Sequence, residues 1–362
     1  MIQLEINNCV YEVPNNLTLL QACTRVGISI PTLCYDERLE QEGNCELCLV
    51  ELADENKMVL SCQTKVKPGM KVVTHSPQVT KARQQVLTNL LLELKHPQDC
   101  LNCLKTDSCR LRAYCQEYNV PHPVIQSAKE KYPVDDTNPF YYIDPNKCIL
   151  CNLCIRVCAE LQVRGALEIN EKGYIARKNT KQDSEKTVLC ESCGNCLDVC
   201  PTGAIGSRIF RDEFAAELTT LEEKVRAIEE LRHVKTTCPY CGVGCQMELV
   251  VSGQKIVDVR PVNTLPNTGL LCVKGRFGYK FVNHPDRLQT PLIKKDGKFV
   301  KATWNEAYRL IVGKASEIKN KYGSQAFGGL SSARCTNEEN YLFQKLFRAA
   351  FGTNNIDHCA RL

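Results

Sequence analysis

No apolar run in these 362 residues nears the roughly 20 residues that a membrane-spanning helix needs. A glycine fingerprint for NAD and a P-loop for ATP are also missing, so nicotinamide chemistry would have to sit on a partner. Met1 to Ile6 alternate like a strand, with no basic n-region, apolar h-region or twin-arginine start. A disulfide scaffold is excluded by length: 24 cysteines would suit one only in a short secreted chain, and here they fall in CxxC clusters. The expectation is a reduced, cytoplasmic, α+β protein of about two to four domains.

What the chain has in abundance is cysteine at ligand spacing. Cys148, Cys151, Cys154 and Cys158 form one run, and Cys190, Cys193, Cys196 and Cys200 form a second, closed by Pro201. This is the doubled bacterial ferredoxin pattern, in which three close cysteines grip one 4Fe–4S cube and the fourth reaches the other. The expected ligand sets are therefore Cys148, Cys151, Cys154 and Cys200, and Cys190, Cys193, Cys196 and Cys158. Zinc knuckles take two ligands each, which triple runs closed by Cys-Pro do not match.

Upstream, Cys34, Cys45, Cys48 and Cys62 share the CxxC core and distant fourth cysteine of plant-type 2Fe–2S sites, but with a longer first gap. Gly43 falls where backbone is expected to approach sulfur. Strands are expected at residues 1–13 around an Asn7-Asn8 turn, then at 47–52, 58–60 and 72–74, with a helix opened by a Thr18–Gln21 capping box. The longer gap resembles the N-terminal domain of iron-only hydrogenases and of the large iron–sulfur subunit of respiratory complex I. A second helix, started by Ser76-Pro77, leads to His96, Cys100, Cys103 and Cys109, the histidine-ligated 4Fe–4S pattern of the same two families. Cys115 reads as spare, and His75, His122 and His233 as ordinary histidines.

Residues 116–140 carry four prolines and read as a linker. After the double-cube run, an amphipathic helix is expected over 210–234 as a spacer. Cys238, Cys241, Cys245 and Cys272 then offer a fifth site, with a hairpin about Ser252-Gly253 between the last two. That spacing resembles the opening 4Fe–4S module of the molybdopterin oxidoreductase superfamily, and complex I's large subunit carries a related one. The resemblance gives Lys274 an electron-path and cofactor-binding role between cube and pterin. Residues 304–362 begin an α/β pattern: a helix over 304–322, a strand over 326–331, and a second helix capped by Thr336 and Glu339.

The stretches 331–339 and 352–362 resemble the formate dehydrogenase α subunit, whose corresponding loops approach the guanine-dinucleotide end of the pterin cofactor. The resemblance assigns Arg334, Cys335, Asn337 and His358 to cofactor binding. The implied domains are a plant-type ferredoxin (β-grasp) domain at 1–78 and, at 79–120, a helical domain for the cluster with one histidine and three cysteine ligands. A double 4Fe–4S ferredoxin domain at 138–207 and the helix at 210–234 follow. A small β-rich 4Fe–4S module at 235–290 precedes an incomplete start of a molybdopterin-binding α/β domain at 291–362.

The implied whole is a cytoplasmic formate dehydrogenase α subunit that interconverts formate and CO2 at molybdenum or tungsten held by bis(molybdopterin guanine dinucleotide). In that family a selenocysteine or cysteine metal ligand follows a His-Cys-Ala-Arg-Leu stretch, so it is expected just after Leu362, with reading ended at a UGA codon. The alternative is a non-catalytic electron-transfer subunit of the complex I or hydrogenase-partner kind. Partners are expected among iron–sulfur or flavin subunits linked to NAD(P)H, ferredoxin or a hydrogenase. The formal charge of +5 neglects thiolates. One 2Fe–2S and four 4Fe–4S clusters would bring the net charge to about −4, so no nucleic-acid face is expected.

Overall fold

The alternation of Ile2, Leu4 and Ile6 becomes strand β1 (Ile2–Ile6), which turns at Asn7 and Asn8 into β2 (Cys9–Val13). Both asparagines sit at positive φ, 51° and 65°, where their short polar side chains are tolerated. In this computed structural model the described residues are 1–94, 103, 105, 108–121, 130–178, 190–216, 218 and 220–359. His96 and Cys100 lie outside them. The chain divides into two units, Met1–Glu230 and Leu231–Leu362.

In the first unit, helix α1 (Leu19–Arg25) opens on the expected capping box: Thr18 Oγ1 accepts from Gln21 N, and Gln21 Oε1 accepts from Thr18 N. Strands β3 (Leu49–Leu52), β4 (Lys57–Leu60) and β5 (Lys71–Val73) complete a five-stranded sheet of order β2-β1-β5-β3-β4. β1 and β5 are parallel and the remaining pairs antiparallel. Leu4, Ile6, Leu19, Cys23, Val50 and Val72 form its core, and Cys48 and Cys62 belong to the same cluster.

Helix α2 (Pro77–Glu93) starts where Ser76 Oγ accepts from Val79 N, with Pro77 in its first position. It buries Val79, Leu87 and Leu91 together with Arg83, which is 1% exposed. Arg83 donates to Leu49 O (2.7 Å) and to Tyr118 Oη (2.9 Å), tying α2 to the sheet and to the end of α3 (Arg110–Glu117). Cys115 is buried on α3. The segment expected as a linker thus begins in a helix, and its later part is anchored where Asp135 pairs with Ile143.

The double-cube region runs through β6 (Tyr141–Ile143), α4 (Leu153–Arg156), a hairpin of β7 (Leu167–Ile169) and β8 (Ile175–Arg177), and α5 (Asn195–Val199). It ends at β9 (Ile205–Ser207), which returns antiparallel to β6 and closes the fold on itself. The single helix expected over 210–234 is corrected. One turn covers Phe210–Phe214, the chain then breaks, and α6 (Leu221–Glu229) starts afresh from a Thr220–Glu223 capping box. From Arg232 the backbone is strand, because its hydrogen bonds go to a neighbouring strand and not along a helix.

That strand is β10 (Arg232–Thr237), which opens the second unit as an edge of a meander with β11 (Gln246–Ser252) and β12 (Lys255–Pro261). The β11–β12 turn falls at Ser252-Gly253, as expected. Helix α7 (Val273–Phe277) follows, then a hairpin of β13 (Leu292–Lys295) and β14 (Lys298–Lys301) about Asp296-Gly297. The α/β part comprises α8 (Trp304–Tyr322), β15 (Gly329–Ser332), α9 (Asn337–Leu346) and β16 (Ile356–Cys359), with β15 and β16 parallel. α8 buries no residue; Trp304 and Tyr322 are each 63% exposed. Among the described residues no helix is long and apolar enough to cross a membrane.

Candidate metal centres

Cys34, Cys45, Cys48 and Cys62 are all buried on the loops that lead into and out of β3 and β4. Cys48 Sγ and Cys62 Sγ are 3.3 Å apart. Backbone N–H groups of Leu33 and Cys45 donate to Cys45 Sγ and Cys34 Sγ, each at 3.4 Å. Paired thiols of this kind share protons unequally. The Cys34 side chain brings the Cys45 thiol down to about 6, and the Cys62 side chain brings the Cys48 thiol down to about 7, while Cys34 and Cys62 are themselves pushed up. Gly43, at φ +73°, approaches the Gln63 side-chain amide and not a sulfur; a Cβ there would lie 2.7 Å from it.

The eight cysteines of the double run separate into two cavities. Cys148, Cys151, Cys154 and Cys200 line one, walled by Ile149, Ile169, Ile175 and Ile205. Cys158, Cys190, Cys193 and Cys196 line the other. Cys200 thus stands with the first triplet and Cys158 with the second, the crossed grouping that the spacing predicts. Leu150 N donates to Cys148 Sγ (3.3 Å), Ala166 N to Cys158 Sγ (3.3 Å) and Ser192 N to Cys190 Sγ (3.4 Å). Burial pushes the Cys148 and Cys151 thiols up to about 12, and Cys154 further, so each needs a positive centre to hold it as thiolate. Thiols standing around a cavity suit a multi-iron cube, and the N–H groups aimed at sulfur suit its charge.

Of the histidine-type pattern, Cys103 and Cys109 lie within the described residues. Cys103 faces Gly203, where a Cβ would lie 2.5 Å from its sulfur, so a larger residue there would push that sulfur aside. Between the two cysteines, Lys105 Nζ donates to Leu197 O (3.0 Å) and Cys200 O (2.9 Å), and next to them Arg110 N donates to Pro201 O (2.9 Å). Both residues meet carbonyls at the C-terminal end of α5. No residue pattern announces them, because their partners lie more than ninety positions away for Lys105.

In the second unit Cys238 is buried, Cys241 and Cys245 are half-buried and Cys272 is exposed. Cys238 N donates to Cys245 O (2.8 Å), closing the first three cysteines into one loop. Burial pushes Cys238 and Cys245 up, each reinforced by neighbouring cysteines of the set, Cys272 included. Lys274 is exposed on α7, two residues beyond Cys272. Asn337 reaches this loop, its Nδ2 donating to Gly242 O (2.9 Å). Arg334 and Cys335 lie on the connection from β15 to α9, and His358 on β16 opposite Ser331. They share the C-terminal end of two parallel strands, the end at which open α/β sheets take ligands.

Comparison with known proteins accounts for nearly every stretch. Residues 1–77 match a 2Fe-2S iron-sulfur cluster binding domain, 83–123 the NADH-ubiquinone oxidoreductase-G iron-sulfur binding region, and 147–204 a 4Fe-4S dicluster domain. Residues 231–284 match the molybdopterin oxidoreductase Fe4S4 domain and 287–362 the molybdopterin oxidoreductase domain. The chain is 34% identical over its whole length to the NADPH-Fe(3+) oxidoreductase subunit alpha of Geobacter sulfurreducens, spanning 40% of that protein. It is 33% identical to "Probable oxidoreductase YjgC" of Bacillus subtilis, covering 99% of this chain and 39% of the relative. It is 32% identical to "Putative formate dehydrogenase SAV2309" of Staphylococcus aureus, covering 97% and 38%. This chain therefore spans about 40% of the length of these curated relatives. A chain in the crystal structure of an NAD+-reducing NiFe-hydrogenase in its H2-reduced state has the same fold over 62% of this chain and 98% of its own, at 24% identity and a TM-score of 0.51.

Proposed function

Starting from a chain that belongs to the molybdopterin oxidoreductase family and carries its iron–sulfur domains, we propose that residues 1–362 form the electron relay of a formate dehydrogenase α subunit. The reading draws most support from the crossed grouping of Cys148, Cys151, Cys154 and Cys200 apart from Cys158, Cys190, Cys193 and Cys196, each set around its own cavity. Those two sets would each hold a 4Fe–4S cube. Cys34, Cys45, Cys48 and Cys62 would hold a 2Fe–2S cluster, and Cys238, Cys241, Cys245 and Cys272 a further cube. His96, Cys100, Cys103 and Cys109 would hold the histidine-ligated one.

Bound there, iron–sulfur clusters supply one-electron oxidation and reduction; the protein's part is to hold thiolates, exclude water and aim N–H groups at sulfur. In the longer protein, molybdenum or tungsten on bis(molybdopterin guanine dinucleotide) would supply two-electron exchange between formate and CO2. Arg334, Cys335, Asn337 and His358 would face that cofactor, with Lys274 between it and the nearest cube. Its electrons would leave to iron–sulfur or flavin subunits linked to NAD(P)H, ferredoxin or a hydrogenase.

A second reading, a relay without formate chemistry, is favoured by the complex I-type match over 83–123 and the fold shared with a hydrogenase chain. Anaerobic analysis of the full-length protein separates the two. About 18 iron atoms within this region, plus molybdenum or tungsten and formate-dependent dye reduction, are expected from the first. The same iron with no pterin metal and no response to formate selects the second. A plateau near ten iron, or stoichiometric zinc, removes at least two of the proposed sites and overturns both.

A further inference from the structure

The span between Cys34 and Cys45 holds ten residues where the plant-type pattern has about four. These residues form no helix or strand, yet they are ordered by their own contacts. Asp36 grips Arg38 through both carboxylate oxygens, at 2.9 and 2.6 Å, and Gln41 Nε2 donates to Leu39 O at 2.6 Å. Into this loop comes Arg156, from the C-terminal end of α4 in the double-cube region. Its side chain is 5% exposed. Nη2 donates to Cys34 O at 2.7 Å, Nη1 donates to Glu40 O, and Nε stands 3.6 Å from Glu42 Oε2. Two further contacts run alongside: Glu40 N to Glu160 Oε2 (3.1 Å) and Asn152 Nδ2 to Glu42 Oε2 (3.4 Å).

Arg156 lies between Cys154, which lines one four-thiol cavity, and Cys158, which lines the other. A single side chain therefore joins the carbonyl of a proposed 2Fe–2S ligand to α4, which carries Cys154, and to the helical turn Val157–Leu161 that continues from it and carries Cys158. A cation buried this deeply persists only where its charge is balanced. The two terminal nitrogens of the planar fork donate to two separate carbonyls at once, a geometry that lysine cannot reproduce. Among the described residues Nε makes no hydrogen bond and has the Glu42 carboxylate at ion-pair distance.

We propose that Arg156 is a positioning residue for electron exchange between the 2Fe–2S site and the double-cube region, and that the long Cys34–Cys45 loop exists to receive it. The proposal rests on the ligand assignment above. Its charge beside Cys34 would favour the reduced, more negative state of a 2Fe–2S cluster held there, and its fork holds the two regions in register. Each exchange would move one electron from one cluster to the other, with no bond made or broken.

The test uses the full-length protein, loaded anaerobically, as wild type, Arg156→Gln and Arg156→Lys. Iron and sulfide per chain should be the same in all three. Redox-titrated EPR of Arg156→Gln should show the 2Fe–2S midpoint moved negative by up to a tenfold change in the reduction equilibrium, about 59 mV for one electron. The broadening of that signal by reduced cubes nearby should also be lost. Arg156→Lys should keep the midpoint, since the charge remains, and lose the broadening, since the fork is gone. If Arg156→Gln fails to load iron, the lysine variant carries the test alone through that split. Full iron with midpoint and broadening unchanged in both variants overturns the positioning role. Absence of any 2Fe–2S signal in loaded wild type instead overturns the ligand assignment beneath it.

Discussion

The cysteines at 34–62 and those at 238–272 are the same number of thiols in opposite surroundings. Cys34, Cys45, Cys48 and Cys62 are between 1% and 4% exposed, and two of them belong to the core of a five-stranded sheet. Cys272 is exposed, and Cys241 and Cys245 are half-buried beside a three-stranded meander. In the first case, folding the sheet already brings the sulfurs together, because the residues that bury the apolar core also bury the site. In the second, Cys238 alone of the four is buried, and the loop is closed by backbone hydrogen bonds and by Asn337. Site and core are one object in the N-terminal domain and two objects in the second unit.

The strongest way to break this contrast is to empty each surrounding in turn. Ile6 is fully buried in the core that Cys48 and Cys62 share, so Ile6→Ala should cost about 2–5 kcal/mol in chemical denaturation of that domain. Val243 is 59% exposed in the Cys238 loop, so Val243→Ala should stay within about 0.5 kcal/mol. Equal costs would mean that exposure does not separate the two sites. Next in size is resistance to chelation. With a strong iron chelator and limited air, the cube proposed at Cys238–Cys272 should go first, about four of the roughly 18 iron atoms proposed, with the 2Fe–2S EPR signal outlasting it. Loss of the 2Fe–2S signal first would reverse the ranking. The smallest effect is at the helix that packs into the core of the first site. Thr18→Ala removes one half of the capping box and should lower stability by about 1 kcal/mol, read from thermal bleaching of the 2Fe–2S absorbance. A wild-type bleaching curve would show that the sheet, not the cap, holds α1.

Several features were legible in advance because their causes are local. Thr18–Gln21, Ser76-Pro77 and Thr336–Glu339 start helices where they stand, since a side chain reaching a backbone N–H three residues on needs no tertiary partner. The Asn7-Asn8 and Ser252-Gly253 turns follow for the same reason. The helix expected over 210–234 overran its C-terminal end because an apolar period cannot see a competing strand. Arg232 to Thr237 pair residue for residue with β11, which satisfies their backbone groups outside any helix. Asp296-Gly297 is a local hairpin signal of the same kind as those turns, and β13 and β14 pair about it.

By itself the sequence determined the cysteine spacings, and with them which thiols are near one another along the chain and which kind of cluster they suit. Covalent spacing is a local constraint, and it survives whatever the rest of the fold does. Only the tertiary structure decided that Lys105 and Arg110 meet the end of α5, that Gly203 admits Cys103, and that Arg156 enters the Cys34–Cys45 loop. Arg156 and Cys34 are 122 residues apart, and nothing in either neighbourhood encodes the other. A buried cation finds its carbonyls only when two separately folded pieces pack, because the cost of taking its charge from water is met by groups that neither piece holds alone.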